Sequence, residues 1–251
     1  SLLDSACVDS TGFAATSAGS DDPRLRDLTH RLQRTLPDAH LDLVRLDTPQ
    51  PLQLALINAD YQTGPLPPEV MHAVVARPAY WAFCWGSGLA TARLLLEQPG
   101  HVAGLSVLDF GSGSGVAGIA AALAGADEVT AVDIDADACA ATACNAALNQ
   151  VDLEICEVLD DQRHFDLILL ADVLYDRSNL PLLAALRERC RTLLVADSRF
   201  TNLDKQLPAA LDARRLGNRE AITQPNLGEF DEFREVVFFG FGASAGPGRL
   251  F

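Results

Sequence analysis

Short apolar runs alternate along this chain with segments whose apolar positions recur every third or fourth place. The former read as strands and the latter as amphipathic helices. From residue 106 onward the alternation is regular, with strands at 106–110, 129–133, 153–158, 165–171 and 192–196 and helices at 116–124, 136–148 and 180–190. This succession predicts an α/β fold with a parallel sheet flanked by helices. A helix at 89–97 precedes the first strand. A helix at 207–215 and a closing strand at 234–239 follow the last, with the final pair antiparallel, and 216–230 shows no clear period.

Upstream the pattern is looser. Residues 1–20 are small and polar, too poor in large apolar groups to offset the entropy of ordering, and predict a flexible leader. Asp21-Asp22-Pro23 opens a helix carrying Leu25, Leu28 and Leu32 on one face and ending near Pro37. Alternating runs at 41–46 and 52–57 around Thr48-Pro49-Gln50-Pro51 predict a hairpin, and a short helix is expected at 69–76. The chain therefore divides into a leader (1–20), an N-terminal helix and hairpin extension (21–76) and one main domain (77–251) large enough to bury a full core.

The run Val107-Leu108-Asp109-Phe110-Gly111-Ser112-Gly113-Ser114-Gly115 joins a buried strand to a helix through alternate glycines. Glycine admits positive φ and lets the backbone N–H groups approach a ligand, as in nucleoside-binding loops. A carboxylate at Asp109 would repel a pyrophosphate but would accept hydrogen bonds from the ammonium of a methionine moiety. S-adenosyl-L-methionine thus suits the loop better than NAD, although Gly113, Gly115 and Gly118 also spell the GxGxxG of dehydrogenases. Asp133 directly ends the next apolar run, where a carboxylate accepts both ribose hydroxyls. Asp135, two residues on, points the same way or caps the following helix. Asp160 and Asp161 either accept from the adenine amine or occupy a solvated turn.

Composition narrows the partners. With 34 acidic against 19 basic residues, a net charge of -15 opposes binding to nucleic-acid backbones. The six cysteines show neither Cys-x-x-Cys pairs nor zinc spacing and predict reduced thiols; no His, Asp and Glu set has metal spacing. The absence of a long apolar run or a targeting signal in these residues predicts a cytoplasmic protein without membrane attachment.

With Asp133, the 107–115 segment resembles the first motif of class I S-adenosylmethionine-dependent methyltransferases. Two further stretches sharpen the likeness: Pro78-Ala79-Tyr80-Trp81-Ala82-Phe83-Cys84-Trp85-Gly86-Ser87-Gly88, which holds both tryptophans, and Ala171-Asp172-Val173-Leu174-Tyr175-Asp176. Both are similar to segments of the seven-β-strand protein-lysine methyltransferases of methyltransferase family 16, above all the branch acting on the β-subunit of electron-transfer flavoprotein. The resemblance extends over roughly residues 75–200. It implies a Rossmann-like, seven-stranded, mostly parallel sheet, S-adenosyl-L-methionine as cofactor and S-adenosyl-L-homocysteine as product.

It implies further that Trp85 and the Gly86-Ser87-Gly88 after it, expected to be mobile, cover the cofactor, and that Asp172 and Tyr175 border the acceptor as catalytic residues. Gly111, Ser112, Gly113 and Gly115 with Asp109, Asp133 and Asp160 complete the expected cofactor set. A Trp face can pack on adenine or shield a sulfonium by a cation–π attraction of about 1 kcal/mol, whereas Trp81 reads as core. Val173-Leu174 stand where a second aromatic is expected, so the acceptor pocket differs from the family pattern. The expected activity is methylation of lysine side chains in a protein, with the electron-transfer flavoprotein β-subunit or a small amine as partner. A nicotinamide-like small-molecule N-methyltransferase is the alternative, and an NAD-dependent oxidoreductase a more distant one.

Overall fold

The computed structural model describes residues 8–9, 22–61, 64, 67–160, 162–174, 176–227 and 233–242. In chain order the strands are β1 (Val8–Asp9), β2 (Leu41–Arg45), β3 (Gln53–Ile57), β4 (Ser106–Phe110), β5 (Glu128–Val132), β6 (Glu154–Cys156), β7 (Phe165–Ala171), β8 (Cys190–Asp197), β9 (Arg214–Glu220) and β10 (Glu235–Phe241). The helices are α1 (Pro23–Gln33), α2 (Pro68–Ala76), α3 (Gly86–Glu97), α4 (Val116–Leu123), α5 (Ala136–Leu148), α6 (Leu182–Arg187) and α7 (Leu203–Gln206). One sheet has the order β1-β6-β5-β4-β7-β8-β10-β9, and β2 and β3 form a separate antiparallel pair. Strands β4 to β8 are mutually parallel, while β10 lies antiparallel between β8 and β9. Apart from the two-residue β1, this is the expected seven-stranded, mostly parallel sheet.

Both faces of the central strands are covered, which explains their continuous apolar runs. Val107, Leu167, Leu169 and Leu194 pack with Leu89, Leu94 and Ile119 of α3 and α4. Their sequence neighbours Leu108, Ile168, Leu170, Leu193 and Val195 point the other way, toward Leu183 and Phe239. The period-two alternation of side chains along each strand thus feeds two apolar layers.

The N-terminal extension docks on α5. Leu25, Leu28 and Leu32 meet Ile57, Trp81 and Ala141 in a third apolar cluster. Asp22 starts α1 by accepting from the N–H of Arg24 at 2.8 Å, and Pro23 occupies the first turn, where its missing N–H costs nothing. Arg31 and Arg34 reach Asp137 of α5 at 2.8 and 2.7 Å. Asn145 accepts from the N–H of Ala55 at 2.7 Å and donates to the Ser114 carbonyl at 2.9 Å, joining the hairpin to the glycine loop.

Four expectations are corrected. The helix expected at 207–215 is instead a short helical turn followed by β9, whose charged, mostly exposed residues suit an edge strand; its single buried residue is Leu216. In the segment read as a flexible leader, Val8 and Asp9 pair with Ile155 and Glu154 at the opposite edge; its other residues lie outside those described. Gly86-Ser87-Gly88 is no mobile loop but the buried first turn of α3, where a Cβ on Gly88 would come within 2.8 Å of Val116. The helix expected at 180–190 is confined to α6, because Cys190 already belongs to β8. Among the described residues no helix is long and apolar enough to cross a membrane.

Candidate active site

The carboxyl ends of β4, β5, β7 and β8 converge where open α/β sheets hold their ligands. Gly111, Gly113 and Gly115 follow β4 with φ of 75°, 53° and 80°, a left-handed path that residues with a Cβ enter at a cost. Close packing fixes two of them: a Cβ on Gly111 would lie 2.7 Å from Val173, and one on Gly115 would lie 2.8 Å from Thr142. At Gly113 a Cβ would meet nothing within 4 Å, so this is the open side of the loop.

Four of the backbone donors of this loop are engaged within the protein. The N–H groups of Gly111 and Ser112 donate to the Val132 carbonyl at 2.8 and 3.1 Å, that of Gly115 donates to Ser112 at 2.7 Å, and that of Gly113 donates to Asp133 at 2.9 Å. What the loop offers is close approach. Thr142 braces it from behind, donating to the Gly113 carbonyl at 3.2 Å and lying 3.1 Å from the Ser112 hydroxyl.

Two acids flank the loop. Asp109 is 2 % exposed, and its Oδ2 accepts from the N–H of Gly118 at 2.8 Å. Burial pushes its carboxyl up to about 7, with the nearby charge of Asp133 adding to the effect. Asp133 is half-buried; Oδ2 accepts from Gly113, and Oδ1 from the N–H of Asp135 at 3.0 Å. Its carboxyl is also raised, mainly by burial. Two oxygens offer about four lone-pair sites, so these bonds leave capacity facing the open side. Asp135 is the N-cap of α5, accepting from Asp137 at 2.9 Å. Asp160 is exposed and accepts from Gln162 at 2.9 Å in a local turn, and Asp161 lies outside the described residues.

Asp172 sits just past β7 with φ of 55°, a conformation costing a non-glycine residue on the order of 1 kcal/mol. Its carboxylate turns toward α3, accepting from the Ser87 N–H at 3.0 Å and the Ser87 hydroxyl at 2.7 Å. The N-cap residue of α3, Trp85, makes no side-chain cap, so Asp172 serves that end across the sheet. Burial raises its carboxyl to about 6 against these two bonds. Tyr175 lies outside the described residues.

The Trp85 indole donates to the Tyr80 carbonyl at 2.9 Å and contacts the rings of Tyr80 and Phe83, while Trp81 is fully buried. A cavity of about 250 Å³, almost wholly apolar, opens beside Trp85 under Leu36, Ile57, Tyr61 and Leu227; none of the loop glycines lines it. Thr142 and Asn145, which support the loop from α5, and Asp197 and Arg199 after β8 were not singled out in the sequence, and Ser87, expected with its glycines to cover the cofactor, instead supports Asp172 from α3. For the helical residues, small polar side chains inside apolar faces were the signal.

Two solved structures share the fold: a putative RNA methyltransferase from Pyrococcus horikoshii (TM-score 0.51, 16% identity, 62% of this chain and 82% of that one) and a putative methyltransferase complexed with S-adenosylhomocysteine (TM-score 0.52, 14% identity, 82% and 56%). The ribosomal protein L11 methyltransferase family profile matches residues 89–185.

In sequence, the chain is similar to the human electron transfer flavoprotein beta subunit lysine methyltransferase, 43% identical over 101 residues that make up 39% of this chain and 38% of the relative. The chain thus spans well under half the length of that relative. Its fold is that of the two methyltransferase structures.

Proposed function

We propose that the chain is an S-adenosylmethionine-dependent N-methyltransferase acting on lysine side chains of a protein. The observation that carries this reading is the buried Asp109, raised toward neutrality, behind a glycine loop open at Gly113 and flanked by Asp133. A buried carboxyl in that condition gains from a nearby cation and has little use for a pyrophosphate. The residues present therefore fit the cofactor: Asp109 would face its ammonium, Asp133 its ribose hydroxyls, and the Gly111–Gly115 loop its amino-acid portion. Ser112 and Asp160 complete the set, Asp160 toward adenine.

When bound, S-adenosylmethionine supplies a methyl carbon on a sulfonium, open to in-line displacement with sulfur keeping the bonding pair. The protein's part is alignment and exclusion of water. A lysine amine, with an ordinary pKa of about 10.4, must shed its proton before its lone pair forms the N–C bond. Asp172 and Tyr175 would hold and orient that amine, and Trp85 would screen the reacting centre. The likeness to the human enzyme, whose name specifies a protein lysine, supports this acceptor class and makes an electron-transfer flavoprotein β-subunit the first partner to try. A net charge of -15 weighs against nucleic acid, and the five described cysteines, all free thiols, accord with the cytoplasm.

The test is titration calorimetry with S-adenosylhomocysteine and with NADH, followed by incubation of lysate with methyl-labelled cofactor and mass spectrometry of labelled bands. Binding of S-adenosylhomocysteine and label on protein lysines are expected. Label on a small amine such as nicotinamide alone would move the acceptor class, and tight binding of NADH in its place would refute the reading.

A further inference from the structure

β7 and β8 run side by side in register to Ala171 and Ala196, so Asp172 and Asp197 are neighbours at the carboxyl edge of the sheet. Asp197 is 1% exposed. Its Oδ1 accepts from the N–H groups of Arg199 and Phe200 at 2.7 and 2.8 Å, but its Oδ2 has no hydrogen-bond partner among the described residues. A buried carboxylate oxygen without a donor is costly, and native structures retain such atoms where strain, a catalytic role, or a water, ion or ligand that completes them accounts for the cost.

The Arg199 guanidinium stands beside this pair. It lies 3.8 Å from Asp172 Oδ1, 4.7 Å from the centre of the Phe233 ring and 5.9 Å from that of Trp85. Two aromatic faces and two buried carboxylates are what an organic cation requires. Arg199 fills the space loosely: its side chain is 30% exposed, its contact with Asp172 is longer than a hydrogen bond, and it leaves Asp197 Oδ2 unsatisfied. A planar guanidinium favours paired, coplanar contacts, whereas a compact alkylammonium can direct an N–H at a single oxygen.

We propose that Trp85, Phe233, Asp172 and Asp197 form a subsite for an alkylammonium group, that Asp197 Oδ2 accepts its N–H, and that Arg199 occupies the subsite until the incoming cation displaces it. The proposal rests on the reading of the protein as an amine methyltransferase and deepens it. It gives the acceptor lysine a place to dock before its proton leaves, and makes Arg199 an internal competitor for that place.

The experiment is a tryptophan-fluorescence titration with n-butylammonium, using n-butanol as the neutral control, since Trp85 borders the subsite and Trp81, the other tryptophan, is buried. Arg199→Ala is expected to bind n-butylammonium at least tenfold more tightly than the unaltered protein and to ignore n-butanol. Adding Asp197→Asn should remove at least that gain. Arg199→Gln, which retains much of the stem, provides the same comparison if the alanine variant folds poorly. Equal affinity with and without Arg199, equal response to the alcohol, or indifference to Asp197→Asn would overturn the proposal. S-adenosylhomocysteine is titrated into the same samples: its failure to bind counts against the methyltransferase reading, whereas its binding without amine tightening overturns the subsite alone.

Discussion

Replacing Asp109 by Asn isolates the charge at the centre of the proposed cofactor site, because Asn keeps an acceptor for the Gly118 N–H and changes little volume. In the unfolded chain this carboxyl ionises near 3.8, and in the fold at about 7. The folded value is the higher, so the neutral form stabilises the native state. That contribution is fully present below about pH 4 and is lost as pH rises toward 7. At about 1.36 kcal/mol per pH unit, ionisation of Asp109 costs the ligand-free fold about 4 kcal/mol by pH 8, of which about 2 kcal/mol accrues above pH 5.5. Asn cannot ionise and escapes this loss.

Thermal unfolding of the ligand-free proteins at about pH 5.5 and pH 8 should therefore show Asp109→Asn gaining about 2 kcal/mol relative to the native protein across that interval. This corresponds to a shift on the order of 5 °C for a chain of this size. The same variant should bind S-adenosylmethionine more weakly, by about 1.5–3 kcal/mol, because a charged hydrogen bond to the ammonium is gone. A stability difference identical at both pH values would refute the claim that burial holds this carboxyl near neutrality. Undiminished affinity would remove Asp109 from the ammonium.

Two further substitutions probe its surroundings. Asp133→Ala should weaken S-adenosylhomocysteine binding by about 1.5–3 kcal/mol by calorimetry, and unchanged affinity would count against the ribose contact. Ser87→Ala removes the hydroxyl that donates to the buried Asp172 and should destabilise the fold by about 1.5–3 kcal/mol in urea unfolding; a variant as stable as the parent would show that this bond contributes nothing.

Much of the main domain was legible because its signals are local. The apolar runs of β4 and β7 announce strands buried on both faces, Asp22-Pro23 starts α1 within one turn, and glycines at alternate places from 111 to 115 mark a left-handed path whatever surrounds them. The charged residues of β9 carry no such signal. An edge strand buries so little that its sequence need not alternate, and that segment was read as a helix.

The sequence by itself determined the order of strands and helices from 106 to 197, the glycine loop and the acids that close β4, β5 and β7, since these depend on period, backbone freedom and short-range capping. Only the tertiary structure decided what those acids do. Asp109 accepts from Gly118, Asp172 accepts from Ser87 of a helix 85 residues earlier, and beside Asp172 the buried Asp197 keeps one oxygen without a hydrogen-bond partner among the described residues. A carboxylate's role follows from which donors share its burial, and those donors come from elements that only the packing of α3, β7 and β8 brings together.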